Sequence, residues 1–216
     1  MTTRMKTILI ALCLVTSLTL QAQAPLKKVT EAQAQTMVTK INQTAAKIQT
    51  LTCQFTQVKT LRFLNDKMTS QGRMCYEGPD KLRWEYTTPY NYAFILNGQK
   101  VHIKTAKRQQ TIDIRQSRLF QGIARVMMNS VTGKSLTSDK DFACTMLTQG
   151  DDWVAELVPQ KKEMKQLFTT IRLHFDGKRQ MVSQVEMTEK NGDTTIITLK
   201  DVKTNGKIDA QMFAER

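Results

Sequence analysis

Two periods divide the chain. Between residues 29 and 50, Ala34, Met37, Val38, Ile41, Ala45 and Ile48 recur at helical spacing and mark one apolar face. Thr30, followed three residues later by Gln33, has the form of a capping box, so the pattern predicts an amphipathic helix starting there. From about Leu51 the period changes to two. Val101, Ile103, Ile112 and Ile114 alternate with Lys100, His102, Lys104, Thr111, Asp113 and Arg115, as in strands with one buried face and one wet face. Turn signals punctuate these runs at Asn97-Gly98, at Asp151-Asp152 after Gly150, at Asp176-Gly177 and at Asn191-Gly192. Pro79 and Pro89 mark further turns, and Pro159 ends another strand. Roughly ten or eleven strands are predicted, which makes the fold class mainly β (α+β).

One helical interruption falls between Arg115 and Asn129, where Leu119, Phe120, Ile123, Val126 and Met127 form an apolar face. The architecture that fits is a long, curved antiparallel sheet with helices over its concave side. Sheets of this length curl, and their apolar face then encloses a space. No repeat or Ser/Gly linker interrupts the chain, and 216 residues suit one sizeable core better than two, so 25–216 is expected to form one domain.

Composition refines this picture. With 40% hydrophobic and 24% charged residues the chain is globular rather than disordered. Its formal charge of +13 points to something acidic: nucleic acid, an anionic membrane surface or an acidic protein. The first 24 residues choose among these. Arg4 and Lys6 precede an uncharged run from Thr7 to Leu20, followed by Gln21-Ala22-Gln23-Ala24. This is the layout of a secretory signal peptide, with cleavage expected after Ala22 or Ala24. The run is short for a retained membrane span. Cys13 has Leu12 before it rather than a small residue, so no lipid anchor is expected. Loss of Arg4 and Lys6 lowers +13 by two, to +11. An exported, periplasmic chain meets membrane surfaces and envelope proteins, and no nucleic acid. Lys100, Lys104, Lys107, Arg108 and Arg115 gather around one hairpin, either as a solvated strand face or as a contact for headgroups or acidic partners.

Reactive chemistry does not converge. Cys53, Cys75 and Cys144 follow the leader, an odd number that permits at most one bridge, and none is spaced as a CxxC pair. His102 and His174 lack metal-ligand spacing, and no serine sits in a GxSxG elbow. Gly133-Lys134-Ser135 resembles the end of a phosphate-binding loop, but Met128 stands where the first glycine is required. An enzyme is not expected.

One stretch is more specific. Phe55-Thr56-Gln57, Gly72, Tyr76, Gly78-Pro79, Leu82-Arg83-Trp84, Tyr86, Pro89 and Asn97-Gly98 occur in that order, and Ile208-Asp209-Ala210 with Phe213 closes the chain. In order and spacing these resemble the LolA family of outer-membrane lipoprotein carriers, over roughly residues 30 to 215. The resemblance implies an incomplete barrel lidded by helices, with an apolar cavity for acyl chains. It implies no cofactor and no reaction. Cargo would be lipoproteins or other acylated molecules, received from an inner-membrane ABC-type transporter and passed to an outer-membrane acceptor by a monomer that touches membranes transiently.

By the same resemblance Trp84, Tyr86, Phe94 and Leu96 are candidate lipid-binding residues, joined by Phe120, Ile123 and Met127 of the second helix. The adaptable, Met-rich composition suits irregular cargo or simple gap-filling. The better-known carriers have an arginine directly before the turn proline, where this chain has Gly78, so lid closure or cargo is expected to differ. Two other readings share the fold: a carrier of another lipid, and an envelope-stress sensor of the RseB type. An acceptor of the LolB type would need a lipidated N-terminal cysteine.

Overall fold

The computed structural model describes residues 24–113, 128, 136 and 141–214. Its strands are β1 (Lys27–Lys28), β2 (Thr50–Leu61), β3 (Asp66–Glu77), β4 (Lys81–Thr88), β5 (Tyr92–Asn97) and β6 (Lys100–Thr105). After these come β7 (Gln109–Asp113), β8 (Phe142–Gln149), β9 (Asp152–Pro159), β10 (Phe168–Asp176), β11 (Met181–Glu189) and β12 (Thr194–Thr204). The helices are α1 (Glu31–Ala46), α2 (Lys162–Lys165) and a 3-10 turn at Ala210–Phe213. All twelve strands form one antiparallel sheet in the order β1-β8-β9-β10-β11-β12-β2-β3-β4-β5-β6-β7. Its edge strands β1 and β7 do not pair, so the sheet is not closed. The strand beyond the ten or eleven expected is β1, whose two residues are too short to carry a period. Of the helix expected between Arg115 and Asn129 only Met128, which is helical, is among the described residues, and residues 1–23 lie outside them.

Curvature follows from packing. Flat, twelve strands spaced about 4.8 Å apart would stretch roughly 50 Å from edge to edge. Yet Val101 on β6 and Met146 on β8, nine places apart in the sheet order, bury into one apolar cluster. Only a sheet curled around its apolar face allows that. α1 lies against this concave face through Val38 and Ile41. Thr30 caps α1 as expected, its hydroxyl accepting from the Gln33 N–H while the Gln33 side chain accepts from the Thr30 N–H. The helix stops at Ala46, short of Ile48.

Turn chemistry matches the strand ends. Gly98 (φ +60°) opens the two-residue β5–β6 turn, and Gly150 (φ +63°) opens the β8–β9 turn. Glycine at that first loop position meets the positive φ of a hairpin turn without strain. On the convex face, Glu85 pairs with Arg73 (2.7 Å) and Arg83 (3.1 Å), and these guanidinium groups push its carboxyl down to about 2. Arg83 also donates to the Met212 carbonyl (3.2 Å) and the Asn97 side chain to the Phe213 carbonyl (3.3 Å). They strap the 3-10 turn, with its buried Phe213, onto β4 and β5.

Gly72 is closely packed on both sides. A β-carbon there would stand 2.1 Å from the Glu85 carbonyl oxygen and 2.4 Å from the Phe55 ring. Gly72→Ala is therefore expected to destabilise the protein by about 3 kcal/mol or more, because backbone and ring must both shift. Urea unfolding monitored by tryptophan fluorescence measures it; a midpoint equal to that of the parent protein would contradict the packing.

Candidate functional site

The concave face is built around four motif residues. Phe55 and Gly72 are cross-strand partners on β2 and β3, and the space left by the glycine receives the Phe55 ring. Trp84 on β4 packs on Phe55 at 4.4 Å between ring centroids, and Tyr86 meets Phe55 edge-on at 5.2 Å. The Tyr86 hydroxyl donates to Gln57 Oε1 at 2.8 Å, and burial pushes that phenol up to about 12. The spaced sequence signals at 55, 57, 72, 84 and 86 are thus one assembly. Tyr92 extends it, 5.9 Å from Tyr86.

Trp84 and Phe94 are cross-strand partners, as are Leu82 and Leu96, so the candidates Trp84, Tyr86, Phe94 and Leu96 share one face. Trp84, Phe94 and Leu96 are buried and Tyr86 is half-buried. They form part of the buried floor of the concave face rather than an open wall. Phe120, Ile123 and Met127 lie outside the described residues.

An opening lies to one side. Ala32, Gln33, Thr36 and Met37 of α1 face Trp153 of β9 across an open, mainly apolar cleft of about 320 Å3. This is the small end of the range for ligand pockets. Trp153 was not among the sequence candidates. Its alternation with Ala155 and Leu157 on β9 was the available signal, because all three belong to the concave cluster. The helix that borders the cleft is held lightly. Only Val38, Ile41 and Ala45 of its residues are buried, and Asn42 Oδ1 is buried without a hydrogen-bond partner. An unmet buried acceptor costs about 1–3 kcal/mol, which works against the closed position of α1.

The arrangement offers apolar surface and little reactivity. The buried carboxylates Asp141 and Asp193 sit at strand ends rather than on this face, and Asp141 is paired with Lys161. Among the described residues no group of three or more His, Cys, Asp or Glu is placed to hold a metal ion. Cys53, Cys75 and Cys144 are free thiols. Cys53 and Cys75 sit on opposite faces of neighbouring strands. Burial pushes Cys53 up to about 12 and Cys144 up to about 11, and it raises Cys75 as well.

Gly78, where the resemblance leads one to expect arginine, donates its N–H to the Gln49 carbonyl at 2.8 Å. The Tyr76 hydroxyl would lie 2.9 Å from a β-carbon there. Tyr76 occupies the ground from which a longer side chain would start. The basic hairpin is smaller than expected. Lys104, Lys107 and Arg108 gather at its tip, whereas Lys100 sits at the far end of β6, opposite Asp113, and Arg115 lies outside the described residues.

The site is an open sheet curled around a mainly apolar, aromatic-floored face, with a sparingly packed helix against it. The family model described as outer membrane lipoprotein carrier protein LolA matches residues 46–215. The chain belongs to that family. It is 30% identical over 168 residues to the outer-membrane lipoprotein carrier protein of Pseudomonas paraeruginosa, covering 77% of each chain. It is 26% identical to that of Legionella pneumophila, covering 85% of each. Among solved structures, an uncharacterized conserved protein from Thermus thermophilus has the same fold, with a TM-score of 0.51 at 9% identity over 83% of this chain and 92% of that one.

The thiols give a direct check on the packing. With their pKa values raised by burial, Cys53, Cys75 and Cys144 are expected to react with Ellman's reagent at pH 8 at least about tenfold more slowly in native than in denatured protein. Fast reaction of two or more thiols in the native state would contradict the burial.

Proposed function

We propose that this protein is a periplasmic carrier that holds the acyl chains of lipoproteins against its concave face and shuttles them from the inner to the outer membrane. The observation that supports it most is the union of the family's motif residues into one uncharged aromatic floor: Phe55, Gly72, Trp84 and Tyr86, under a helix with few anchors. Ten buried methylenes contribute about 8 kcal/mol before ordering costs, so affinity needs dry surface more than polar contacts. The cleft at Met37 and Trp153 is the entry, and withdrawal of α1 opens the concave cluster next to it to the chain. An inner-membrane ABC-type transporter supplies the cargo and an outer-membrane acceptor removes it. The family's known carriers bear the name that suggests this cargo.

Mass spectrometry of protein purified from its native envelope is expected to find triacylated lipoproteins at near-stoichiometric amounts. Recovery of a different lipid would move the cargo assignment, and protein that is empty and also rejects added fatty acids would overturn the reading. Trp84→Ala is expected to weaken binding of a fluorescent fatty acid at least about tenfold in protein that remains folded by circular dichroism. Unchanged affinity there would leave Trp84 as core.

The lid makes a separate prediction. Asn42→Leu removes the unmet acceptor and seats α1 more firmly, so Tm is expected to rise by about 2–8 °C while fatty-acid uptake slows. Scanning calorimetry and stopped-flow fluorescence read the two effects. A lower Tm would show that Asn42 stabilises the closed helix.

A further inference from the structure

The described surface is uneven in an informative way. Seven large hydrophobic side chains are exposed, and six of them, all but Leu26, lie at or near one end of the sheet. Phe63 and Leu64 are the extreme cases, 96% and 65% exposed, side by side in the turn between β2 and β3. Met68 follows on β3, and Tyr90 stands in the β4–β5 turn of the same end. A phenylalanine with almost its whole surface in water stabilises nothing in the folded monomer, and neighbouring exposed apolar residues mark an interaction site.

The tip is presented by a fixed base. Pairing of β3 with β4 stops at Gln71 opposite Thr88, so Asp66–Ser70 extend about 17 Å of strand past the end of β4. On the other side β2 stays paired with β12 up to Thr60 opposite Thr194. There the buried Asp193 carboxylate accepts the Arg62 backbone N–H at 2.9 Å and the Asn191 side-chain amide at 2.9 Å. The Arg62 side chain runs across the β11–β12 turn at Gly192, and Lys59 pairs with Glu189 at 2.6 Å. Two neighbouring turns are clamped together, with Phe63 and Leu64 projecting beyond the clamp.

Charge at this end is predominantly positive. Its five connecting turns, 62–65, 89–91, 106–108, 160–167 and 190–193, carry seven basic and two acidic residues. The four hairpin turns at the opposite end, 78–80, 98–99, 150–151 and 177–180, carry two of each. A projecting aromatic–aliphatic pair ringed by lysine and arginine complements a layer that is anionic outside and apolar beneath.

The geometry points to the β2–β3 tip as a membrane-docking device, in which Phe63 and Leu64 enter the interface of an anionic lipid surface and the basic turns lie over its headgroups. This goes beyond the carrier reading and does not rest on it, since the tip is remote from the α1 cleft and would dock the protein whatever the concave face holds. Docking places the same end of the sheet against the membrane each time.

Flotation of the purified protein with cargo-free vesicles tests this. The protein is expected to float with phosphatidylcholine vesicles that contain phosphatidylglycerol, and much less with phosphatidylcholine alone. Added salt is expected to release it, because the headgroup attraction is screened. The double variant Phe63→Ser/Leu64→Ser is expected to lower partitioning at least about tenfold, since burial of either side chain is worth about that factor or more. Its circular dichroism is expected to match the parent's, and Leu26→Ser, at the opposite end, to change nothing. In Phe63→Trp the new indole is expected to shift to shorter wavelength on vesicle addition.

Equal flotation of the parent and the double variant overturns the proposal. So does a parent that ignores vesicles but self-associates through the tip, which would assign Phe63 and Leu64 to a contact between copies. Equal binding to neutral vesicles removes the part given to the basic turns. Because no lipoprotein is present, loss of flotation leaves the carrier reading untouched, and loss of acyl binding in the Trp84 variant leaves the tip untouched.

Discussion

The ring of Phe55 occupies the space that a side chain at Gly72 would need, and much of the concave face is arranged around that contact. A glycine in mid-strand lowers β propensity, and a large aromatic laid across it restores the lost apolar contact. Once Phe55 leans over β3, Trp84 on β4 can stack on it, and Tyr86 can meet its edge and reach Gln57. Three adjacent strands are thereby locked in register by side chains as well as by their backbone ladder. A slip of one residue would turn every one of these rings to the convex side.

The same registry separates two kinds of surface. Alternation sends rings and aliphatic side chains inward, and it sends the Arg73–Glu85–Arg83 and Glu156–Arg172–Glu186 ion pairs to the outer face. The inner face is therefore mainly apolar, while these ion pairs line the outer one. The ends of the strands belong to neither face. It is there that exposed apolar side chains and unbalanced positive charge coincide, at the end where the β2–β3 hairpin overruns its neighbour.

Cover and floor differ in firmness. The floor is a continuous twelve-stranded ladder with interlocked rings, whereas α1 buries three side chains and leaves Asn42 Oδ1 without a partner. A helix that is capped well but packed sparingly keeps its shape when it leaves the sheet. Its stability as a helix comes from the capping box and its own ladder, and its position comes from a few apolar contacts with the sheet.

Much of this was written in the sequence. The change of period near Leu51, the Thr30–Gln33 cap and the glycine turns at 98 and 150 are local facts, set by a few neighbouring residues, and the elements formed where these signals placed them. The order of Phe55, Gln57, Gly72, Trp84 and Tyr86 likewise disclosed the family, because the pairs 55/57 and 84/86 share a strand face and the longer gaps each span about one strand and turn. What the sequence could not disclose depends on strands brought together from far along the chain. Pairing of β12 with β2 joins residues more than a hundred positions apart and sets Asp193 beneath Arg62, which turns an ordinary hairpin into a braced, projecting tip. Curling of the sheet set Trp153 across from Met37. It also buried Trp84, Phe94 and Leu96 as floor, since an alternating pattern says which face a residue takes and not how much of that face is already covered.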